Sequence, residues 1–345
     1  MKLERLEEIL KKENQPGFRL KQIKKAVFSD GILDFSEITV LSKDLREKLS
    51  QSVKILPFSA EEVNVSRDKK SIKALLRLRD NKLLETVLLA SQGNNWSACV
   101  SSQVGCPLGC AFCATGKSGF IRNLTYEEIE GQILFWKNYL RKNKLAGELG
   151  NIVYMGMGEP FLNFEEVVKS IENLIDSEIF DFSSRSISVS TSGIMDNWMD
   201  FAEKFPQVNL ALSLHSGDET KRSEIMPINK KFNLGEIKKV LQEYFKKHKR
   251  KVFIEYVMLK DFNDSIDDAK KLADFLRSVG NSYLLHVNLI RYNDTGDQWK
   301  SVSQENTEKF LEILKRNRIQ GTIRQSLGGD IRGACGQLAG KGGRK

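Results

Sequence analysis

The stretch CVSSQVGCPLGCAFCATGKSG, residues 99–119, decides how this chain is interpreted. It holds four of the five cysteines, and three of them, Cys106, Cys110 and Cys113, stand in a C-x3-C-x2-C spacing inside one short loop. Three thiolates so close in sequence can bind three corners of an iron–sulfur cluster and leave the fourth iron without a protein ligand. The loop therefore predicts a 4Fe-4S cluster whose open iron binds a small molecule and reduces it.

Zinc is the alternative occupant of these cysteines. A structural zinc site usually has four ligands arranged in paired C-x2-C spacings. Here one gap is a residue longer, no second pair follows, and the nearest histidine, His215, lies far along the chain. Cys99 could act as a fourth ligand, so the spacing favours the cluster and leaves zinc as the competing hypothesis.

The composition is typical of a soluble globular protein, with 345 residues, 40% of them hydrophobic and 29% charged. The first residues, MKLERLEEIL, lack the apolar run of a signal peptide, and no segment reaches membrane-spanning length. We therefore expect a cytoplasmic protein with no membrane partner, acting as a monomer. An odd count of five cysteines in a reducing compartment indicates metal or redox chemistry. The net charge of +9 fits a nucleic-acid partner and, equally, a merely basic protein.

The hydrophobic pattern divides the chain into four parts. Helical spacing with a basic face predicts a helical N-terminal domain, which could bind phosphates or simply cap the core. Two strand-like runs joined by the turn Asp80-Asn81 predict a hairpin. The predicted parts are 1–72 (helical accessory domain), 73–98 (hairpin), 99–338 (core) and 339–345 (flexible basic tail).

Within the core, apolar strand-like runs alternate with helical patterns, which indicates a parallel sheet covered by helices. Six or seven βα units are fewer than the eight of a closed barrel, so we expect an α/β fold of the partial (β/α)6 type with a small N-terminal helical domain. The predicted strands are 151–156, 186–191, 208–214, 252–259, 284–290 and 321–326. The predicted helices are 125–142, 164–178, 234–247, 266–278 and 303–317.

A second motif, MGMGEP from Met155 to Pro160, directly follows the predicted strand NIVY. Glycines at a strand end let a ligand approach the backbone closely. The carboxylate of Glu159 could hold an ammonium group. Alone this motif is ordinary turn chemistry, but one βα unit after the cysteine loop it predicts a pocket for an amino acid moiety bound to the open iron.

The loop CPLGCAFC followed by GMGEP resembles the radical S-adenosylmethionine superfamily. More narrowly, nearly the whole chain resembles the RlmN/Cfr family of radical S-adenosylmethionine RNA adenine methyltransferases, most of all its RlmN branch. The segments that carry this resemblance are PGFRLKQI, CVSSQVGC, FCATGKSGFIRNLT, MGMGEPFLN, SVSTSG, LSLHS, MPINKK, IEYVML, NLIRYN and ACGQLAG.

The resemblance implies a radical S-adenosylmethionine barrel, a 4Fe-4S cluster on the three loop cysteines, and two S-adenosylmethionine molecules per turnover. It implies that Cys335 carries the methyl group, that Cys99 is a second reactive thiol, and that Glu85 accepts a proton. It also implies an electron donor such as flavodoxin or ferredoxin. The residues that would line the S-adenosylmethionine site are Gly158, Glu159, Ser190, Ser213, Leu214, His215 and Asn293.

The expected chemistry explains this residue set. Carbons 2 and 8 of adenine are poor nucleophiles, whereas a thiolate accepts a methyl group readily. The methyl group carried on Cys335 could therefore become the carbon radical that attacks the ring. A base and a second sulfur would then release the product. Outside its motif, Cys335 would be taken for a buried small residue, Glu85 for a solvated charge and His215 for a structural histidine.

The implied substrate is one adenosine of 23S rRNA, methylated at carbon 2, and in some relatives also a tRNA adenosine. Pro160 and the STSG run favour carbon 2. The segment HVNLIRYN favours the Cfr-like alternative, methylation at carbon 8, which protects ribosomes against antibiotics. A non-catalytic RNA-binding protein with a structural zinc is the hypothesis from another class.

Overall fold

The computed structural model describes residues 1, 3–91, 93 and 95–340 of the chain. Its first part consists of helices that turn an apolar face inward, with Leu6, Ile23 and Leu49 fully buried. A single π-helical turn, Lys25–Ser29, continues the second helix. The three α-helices are α1 (Leu3–Lys12), α2 (Phe18–Lys24) and α3 (Lys43–Ser52).

A strand, β1 (Phe58–Val65), follows these helices, where the sequence pattern predicted a helical domain as far as residue 72. It pairs antiparallel with the next strand, β2 (Ser71–Leu78), and forms one edge of the sheet. Only Phe58 of β1 is buried, because charged side chains on an exposed edge strand remove the alternation that would reveal it. The prediction that residues 1–72 are helical is therefore wrong for residues 58–65 and for the start of β2. The division of the chain into domains stays a prediction, and residues 341–345 of the predicted tail lie outside the described residues.

Within the described residues, the central sheet has ten strands in the order β1-β2-β3-β4-β7-β8-β9-β10-β11-β12, whose ranges are given below. From β1 to β4 neighbouring strands are antiparallel, and from β4 to β12 they are parallel. The two ends of this sheet are β1 and β12, so the barrel is partial, and the predicted fold class is confirmed. Besides β1 and β2, the strands are β3 (Leu83–Ala90), β4 (Trp96–Cys99), β7 (Leu149–Tyr154), β8 (Ile187–Thr191), β9 (Asn209–Ser213), β10 (Val252–Met258), β11 (Leu285–Arg291) and β12 (Gln320–Arg324).

The helices on the outside of the sheet begin and end at residues that cap their free backbone groups. Thr125 and Glu128 form a capping box at the start of α5, and Ser265 and Asp268 form another at the start of α10. Gly280, with a φ of 79°, ends α10. None of the described helices combines the length and the apolar character that a membrane span requires. The helices are α4 (Ala114–Lys117), α5 (Tyr126–Lys142), α6 (Phe164–Ile175), α7 (Trp198–Lys204), α8 (Glu219–Ile225), α9 (Leu234–Lys247), α10 (Ile266–Val279) and α11 (Gln304–Arg316).

The parallel strands are largely buried on both faces, as in β10, where the consecutive residues Ile254, Glu255 and Tyr256 are all buried. Because the strands are parallel, their carboxyl ends lie at one edge of the sheet. The cysteine loop after β4, the GMGEP turn after β7 and the LHS turn after β9 therefore meet at this edge. Tertiary structure brings the motifs together in this way.

Candidate active site

A two-stranded antiparallel sheet closes the base of the cysteine loop. Strand β5 (Gln103–Gly105) pairs with β6 (Phe120–Asn123), and the Cys106 N–H donates to the Gly119 carbonyl at 3.0 Å. Gly105 has a φ of +77°, and a Cβ placed there would lie 1.8 Å from the Gly119 oxygen. Glycine is therefore required at the point where the two sides of the loop meet.

The three loop thiols lie on the wall of a cavity of about 350 Å³ at the carboxyl ends of the strands. Cys110 is buried and Cys106 and Cys113 are half-buried. Burial raises the pKa of Cys106 to about 12 and that of Cys110 well above its usual value. Bound iron would supply the positive charge that holds such buried sulfurs as thiolates.

In the described part of the chain, no three His, Cys, Asp or Glu side chains converge closely enough to hold a single metal ion. A 4Fe-4S cluster makes a different demand, because each thiolate binds its own iron and the sulfurs stand apart around the cluster. The three cysteines on one cavity wall, beside a loop backbone fixed by the bond from the Ala111 N–H to the Ile225 carbonyl at 2.9 Å, fit that demand.

The glycines of the GMGEP turn are needed for a reason that the sequence did not predict. A Cβ on Gly156 would lie 2.6 Å from the Ser101 Oγ, and one on Gly158 would lie 2.6 Å from the Gln103 Cβ. Gly158 also has a φ of +100°. These glycines let the end of β7 pack against the segment that leads into the cysteine loop, so protein packing, and not only ligand approach, demands them.

Glu159 lies on the cavity wall with its carboxylate already fixed by the backbone. One oxygen accepts the Ser192 N–H at 2.8 Å and the other accepts the Phe161 N–H at 3.1 Å. Burial nevertheless raises the pKa of this carboxyl, against the hydrogen bonds from Ser192. The side chain joins the ends of β7 and β8 and presents a rigid acceptor to the cavity.

Ser190, Ser213 and His215 line the same cavity from the ends of β8 and β9. The two serine hydroxyls are 3.2 Å apart. The His215 Nδ1 accepts the Val257 N–H at 3.0 Å, and burial lowers the pKa of the ring to about 3. The imidazole is therefore neutral with its hydrogen on Nε2. His215 thus makes a hydrogen bond within the fold through Nδ1 and has an Nε2–H that can donate to a ligand. A structural role and a role in the cofactor pocket are therefore compatible.

Two of the predicted site residues do not line the cavity. The Leu214 side chain is fully buried in the core, and its N–H donates to the Glu255 carbonyl at 3.0 Å. Glu85, on β3, is also fully buried, and its carboxylate pairs with the Lys73 ammonium at 2.8 Å. Gly158, described above, does line the cavity.

The C-terminal segment, residues 334–340, brings Cys335 to this cavity, and we call it the strap. The Asn293 side chain, which lines the cavity, donates to the Cys335 carbonyl at 3.1 Å. The Ala114 N–H donates to the Gly336 carbonyl at 2.8 Å, and the Thr115 hydroxyl donates to the Leu338 carbonyl at 2.6 Å. The strap is thus hydrogen-bonded to α4, the helix that follows the third loop cysteine.

Cys99, the last residue of β4, lines the cavity together with Cys335. Burial, and then the neighbouring Cys335, raise the pKa of the Cys99 thiol. The Cys335 side chain is exposed at the cavity surface, but the protein packed around it still raises its pKa, while the positive charge of Arg324 opposes the effect. All five cysteines therefore line one cavity, and all five are free thiols.

Sequence analysis did not assign three charged residues of the cavity wall to the site, Glu255, Arg291 and Arg324. The Glu255 carboxylate accepts from the Asn288 side chain at 2.8 Å, and the Asn288 oxygen accepts the Thr322 hydroxyl at 3.0 Å. Burial raises the pKa of Glu255. The available signal was a charged residue within an otherwise apolar strand, which the strand pattern alone does not distinguish from a solvent-facing charge.

The fold and the cysteine loop define the class of this protein. A family model for the radical SAM superfamily matches residues 100–276. A second, for the ribosomal RNA large subunit methyltransferase N-terminal domain, matches residues 1–55. The chain is a radical S-adenosylmethionine enzyme.

Full-length relatives place it more narrowly. A probable dual-specificity RNA methyltransferase RlmN of Carboxydothermus hydrogenoformans is 41% identical over 333 residues, 96% of this chain and 94% of that protein. One of Fervidobacterium nodosum, with the same description, is 41% identical over 325 residues, 93% and 90% of the two chains. The crystal structure of a radical SAM methyltransferase from Sphaerobacter thermophilus matches with a TM-score of 0.90 at 37% identity, over 99% of this chain and 98% of that one. The chain belongs to the RlmN family of radical S-adenosylmethionine RNA methyltransferases, which confirms the resemblance and sets aside the non-catalytic hypothesis.

Proposed function

We propose that this enzyme methylates carbon 2 of one adenosine in 23S rRNA, and of a tRNA adenosine as a second substrate, through a methyl group carried on Cys335. The observation that carries the proposal is that Cys335 and Cys99, far apart in sequence, line one cavity with the three loop cysteines. The relatives described as dual-specificity RNA methyltransferases support the two substrates.

The cavity residues divide into groups with different tasks. Cys106, Cys110 and Cys113 would hold the 4Fe-4S cluster, which when bound supplies the electron that cleaves S-adenosylmethionine and yields a carbon radical. The fixed acceptor of Glu159, the serine hydroxyls and the His215 Nε2 hydrogen would orient S-adenosylmethionine, together with the Gly158 backbone and the Asn293 amide. Two molecules would be used per turnover, one as methyl donor and one as radical source.

Cys335 would accept the first methyl group: its sulfur forms a bond to the methyl carbon, the carbon–sulfonium bond breaks, and the thiol proton leaves. The carbon radical from the second S-adenosylmethionine would remove a hydrogen atom from this methyl group, and the resulting methylene radical would form a bond to carbon 2 of the adenine ring, which links protein and RNA covalently. Glu85 would accept the proton that leaves carbon 2 as the adduct gives one electron back to the redox centre. The Cys99 sulfur would then form a disulfide with the Cys335 sulfur while the bond from Cys335 to the methylene carbon breaks, and the released base would take up a proton.

RNA binding would begin at the helical N-terminal part, which is matched by the ribosomal RNA methyltransferase domain model. The net charge of +9 supports a polyanionic partner. The target adenine would leave its stack to enter the cavity. We expect the enzyme to act in the cytoplasm as a monomer, reduced by flavodoxin or ferredoxin.

Mass spectrometry of digested RNA tests the proposal. Ribosomal and transfer RNA are purified from cells that lack the protein and from cells that express the wild type or Cys335→Ala. We expect 2-methyladenosine in both RNA pools with the wild type only. The HVNLIRYN segment, residues 286–293, favours carbon 8, so 8-methyladenosine as the only new product would establish that alternative. Methylation by Cys335→Ala at the wild-type level would show that Cys335 is not the carrier.

A further inference from the structure

Glu85, the expected proton acceptor, does not line the cavity and forms a buried ion pair. Its Oε1 lies 2.8 Å from the Lys73 Nζ, and the two side chains are only 2% and 6% exposed. The pair spans neighbouring strands, β3 and β2. Replacing such a buried pair with apolar residues is often neutral or stabilising, so stability alone is a weak explanation for this pair.

The second oxygen of Glu85 binds the strap. Its Oε2 accepts the Ala339 N–H at 2.7 Å and the Gly340 N–H at 3.0 Å. The carboxylate thus accepts hydrogen bonds from three donors, one ammonium group and two backbone amides. These three hydrogen bonds are strong because their acceptor is a charged carboxylate.

The strap connects this anchor with the reactive cavity. Leu338 lines the cavity, while the next two residues bind Glu85. Cys335, which also lines the cavity, lies in the same short segment. With the strap docked, Glu85 does not line the cavity, and both of its carboxylate oxygens already accept hydrogen bonds from Lys73 and from the strap.

We propose that Lys73 is a positioning residue, which holds Glu85 as the anchor of the strap, and that Glu85 becomes accessible to the RNA only when the strap lifts. The inference rests on the proposed function. Because Cys335 and the Glu85 ligands share one segment, displacement of Cys335 with its attached adenine would also withdraw Ala339 and Gly340 from the carboxylate. The base would thus be uncovered after the covalent link has formed, when a proton must leave the ring.

The first test follows the strap without RNA, by hydrogen–deuterium exchange of the full-length protein. In Lys73→Met, the Ala339 and Gly340 amides should exchange about tenfold faster or more, the factor expected when a charge-assisted hydrogen bond weakens. Lys73→Arg, which keeps the charge, should restore protection. Lys309→Met, which removes a lysine from an exposed pair with Glu305, is the matched control and should leave the strap unchanged.

Two results would overturn the anchoring role. One is unchanged exchange of the two strap amides in Lys73→Met. The other is faster exchange throughout β2 and β3 as well as the strap, which would indicate a merely structural lysine. Ala339→Pro, which lacks the N–H donor, tests the same contact from the other side and should loosen Gly340 without exposing β2.

The second test follows the reaction. In Lys73→Met, mass spectrometry should find Cys335 methylated as in the wild type, while covalently linked RNA accumulates several-fold because proton removal slows. A parallel fall of Cys335 methylation and linking would contradict positioning. In Cys99→Ala, which should retain the link, the Ala339 and Gly340 amides should lose protection when RNA is attached, and continued protection would disprove lifting of the strap.

The two proposals fail in different ways. If no variant, and not even the wild type, forms methylated adenosine or linked RNA, the methyl-carrier function is wrong, whatever the strap does. The exchange experiment on Lys73→Met needs no RNA and decides the anchoring role by itself.

Discussion

Glycine at position 105 should decide whether the cysteine loop can close. In Gly105→Ala the new Cβ would lie 1.8 Å from the Gly119 oxygen and 2.9 Å from its carbonyl carbon, so one side of the loop must move. The movement breaks the 3.0 Å bond from the Cys106 N–H to the Gly119 carbonyl. Gly109→Ala is the matched control, because Gly109 lies in the same loop with a φ of +63° and has open space around its Cβ.

The free-energy difference between the two variants is estimated by removing the cost that they share. Both place alanine at positive φ, which costs about 1–2 kcal/mol. Only Gly105→Ala adds overpacking, about 1–3 kcal/mol, and a lost hydrogen bond, about 1 kcal/mol. The difference of about 2–4 kcal/mol would disfavour the closed loop by a further factor of roughly thirty to several hundred.

The assay is the iron and sulfide content of protein purified and reconstituted without oxygen, with the brown absorbance as a second readout. We expect Gly109→Ala to bind iron nearly as the wild type does and Gly105→Ala to bind little, since its thiols no longer share one cavity wall. Circular dichroism checks that both variants remain folded. Equal iron content in the two variants would refute the steric reasoning, and zinc without iron in the wild type would refute the cluster itself.

Three further predictions concern single residues. Cys335→Ala should still cleave S-adenosylmethionine, because the cluster loop is intact, and loss of 5′-deoxyadenosine in an anaerobic assay would contradict this. The folded-state pKa of His215 is about 3, below its usual 6.5, so the unfolded state binds the proton more readily. The free energy of unfolding should therefore fall as pH drops from about 6.5 towards 3, and His215→Gln should weaken that dependence in urea titrations; an unchanged slope would be the contrary result. Burial raises the pKa of Glu130 to about 7, so its contribution to stability is complete below its unfolded value of 4.5 and is lost as pH rises through 7. Glu130→Gln, which keeps the Asn173 contact possible, should raise the free energy of unfolding at pH 8 by up to about 3 kcal/mol, and no gain there would argue against a protonated carboxyl.

Much of the core could be predicted because its patterns are local. The predicted helix 234–247 coincides with α9, and the predicted strand 252–259 differs from β10 by one residue. A helix needs only its own apolar period and caps, and a strand buried on both faces needs only an apolar run. Strand β1 escaped prediction because an edge strand exposes most of its side chains and has no such period.

The candidate site was only partly predictable for the same reason. The cysteine spacing and the GMGEP motif are contiguous, so sequence alone identified the residues that could hold a cluster and line a pocket. The role of Glu159 as a fixed acceptor, and the packing need for Gly158 against Gln103, depend on contacts across the chain. A contiguous motif can show which residue types are available for binding or catalysis. It cannot show which of their atoms already make hydrogen bonds or packing contacts within the protein.

By itself, the sequence determined the local chemistry of this protein: three thiols in one loop, alternating strands and helices, and the motifs of its family. Only the tertiary structure decided that Cys99 and Cys335 line one cavity and that Glu85 binds the Ala339 and Gly340 amides outside it. The physical reason is that strand and helix patterns are set by neighbours in the chain. Contacts between distant residues arise only when the parallel strands align their carboxyl ends and the C-terminal strap packs across them.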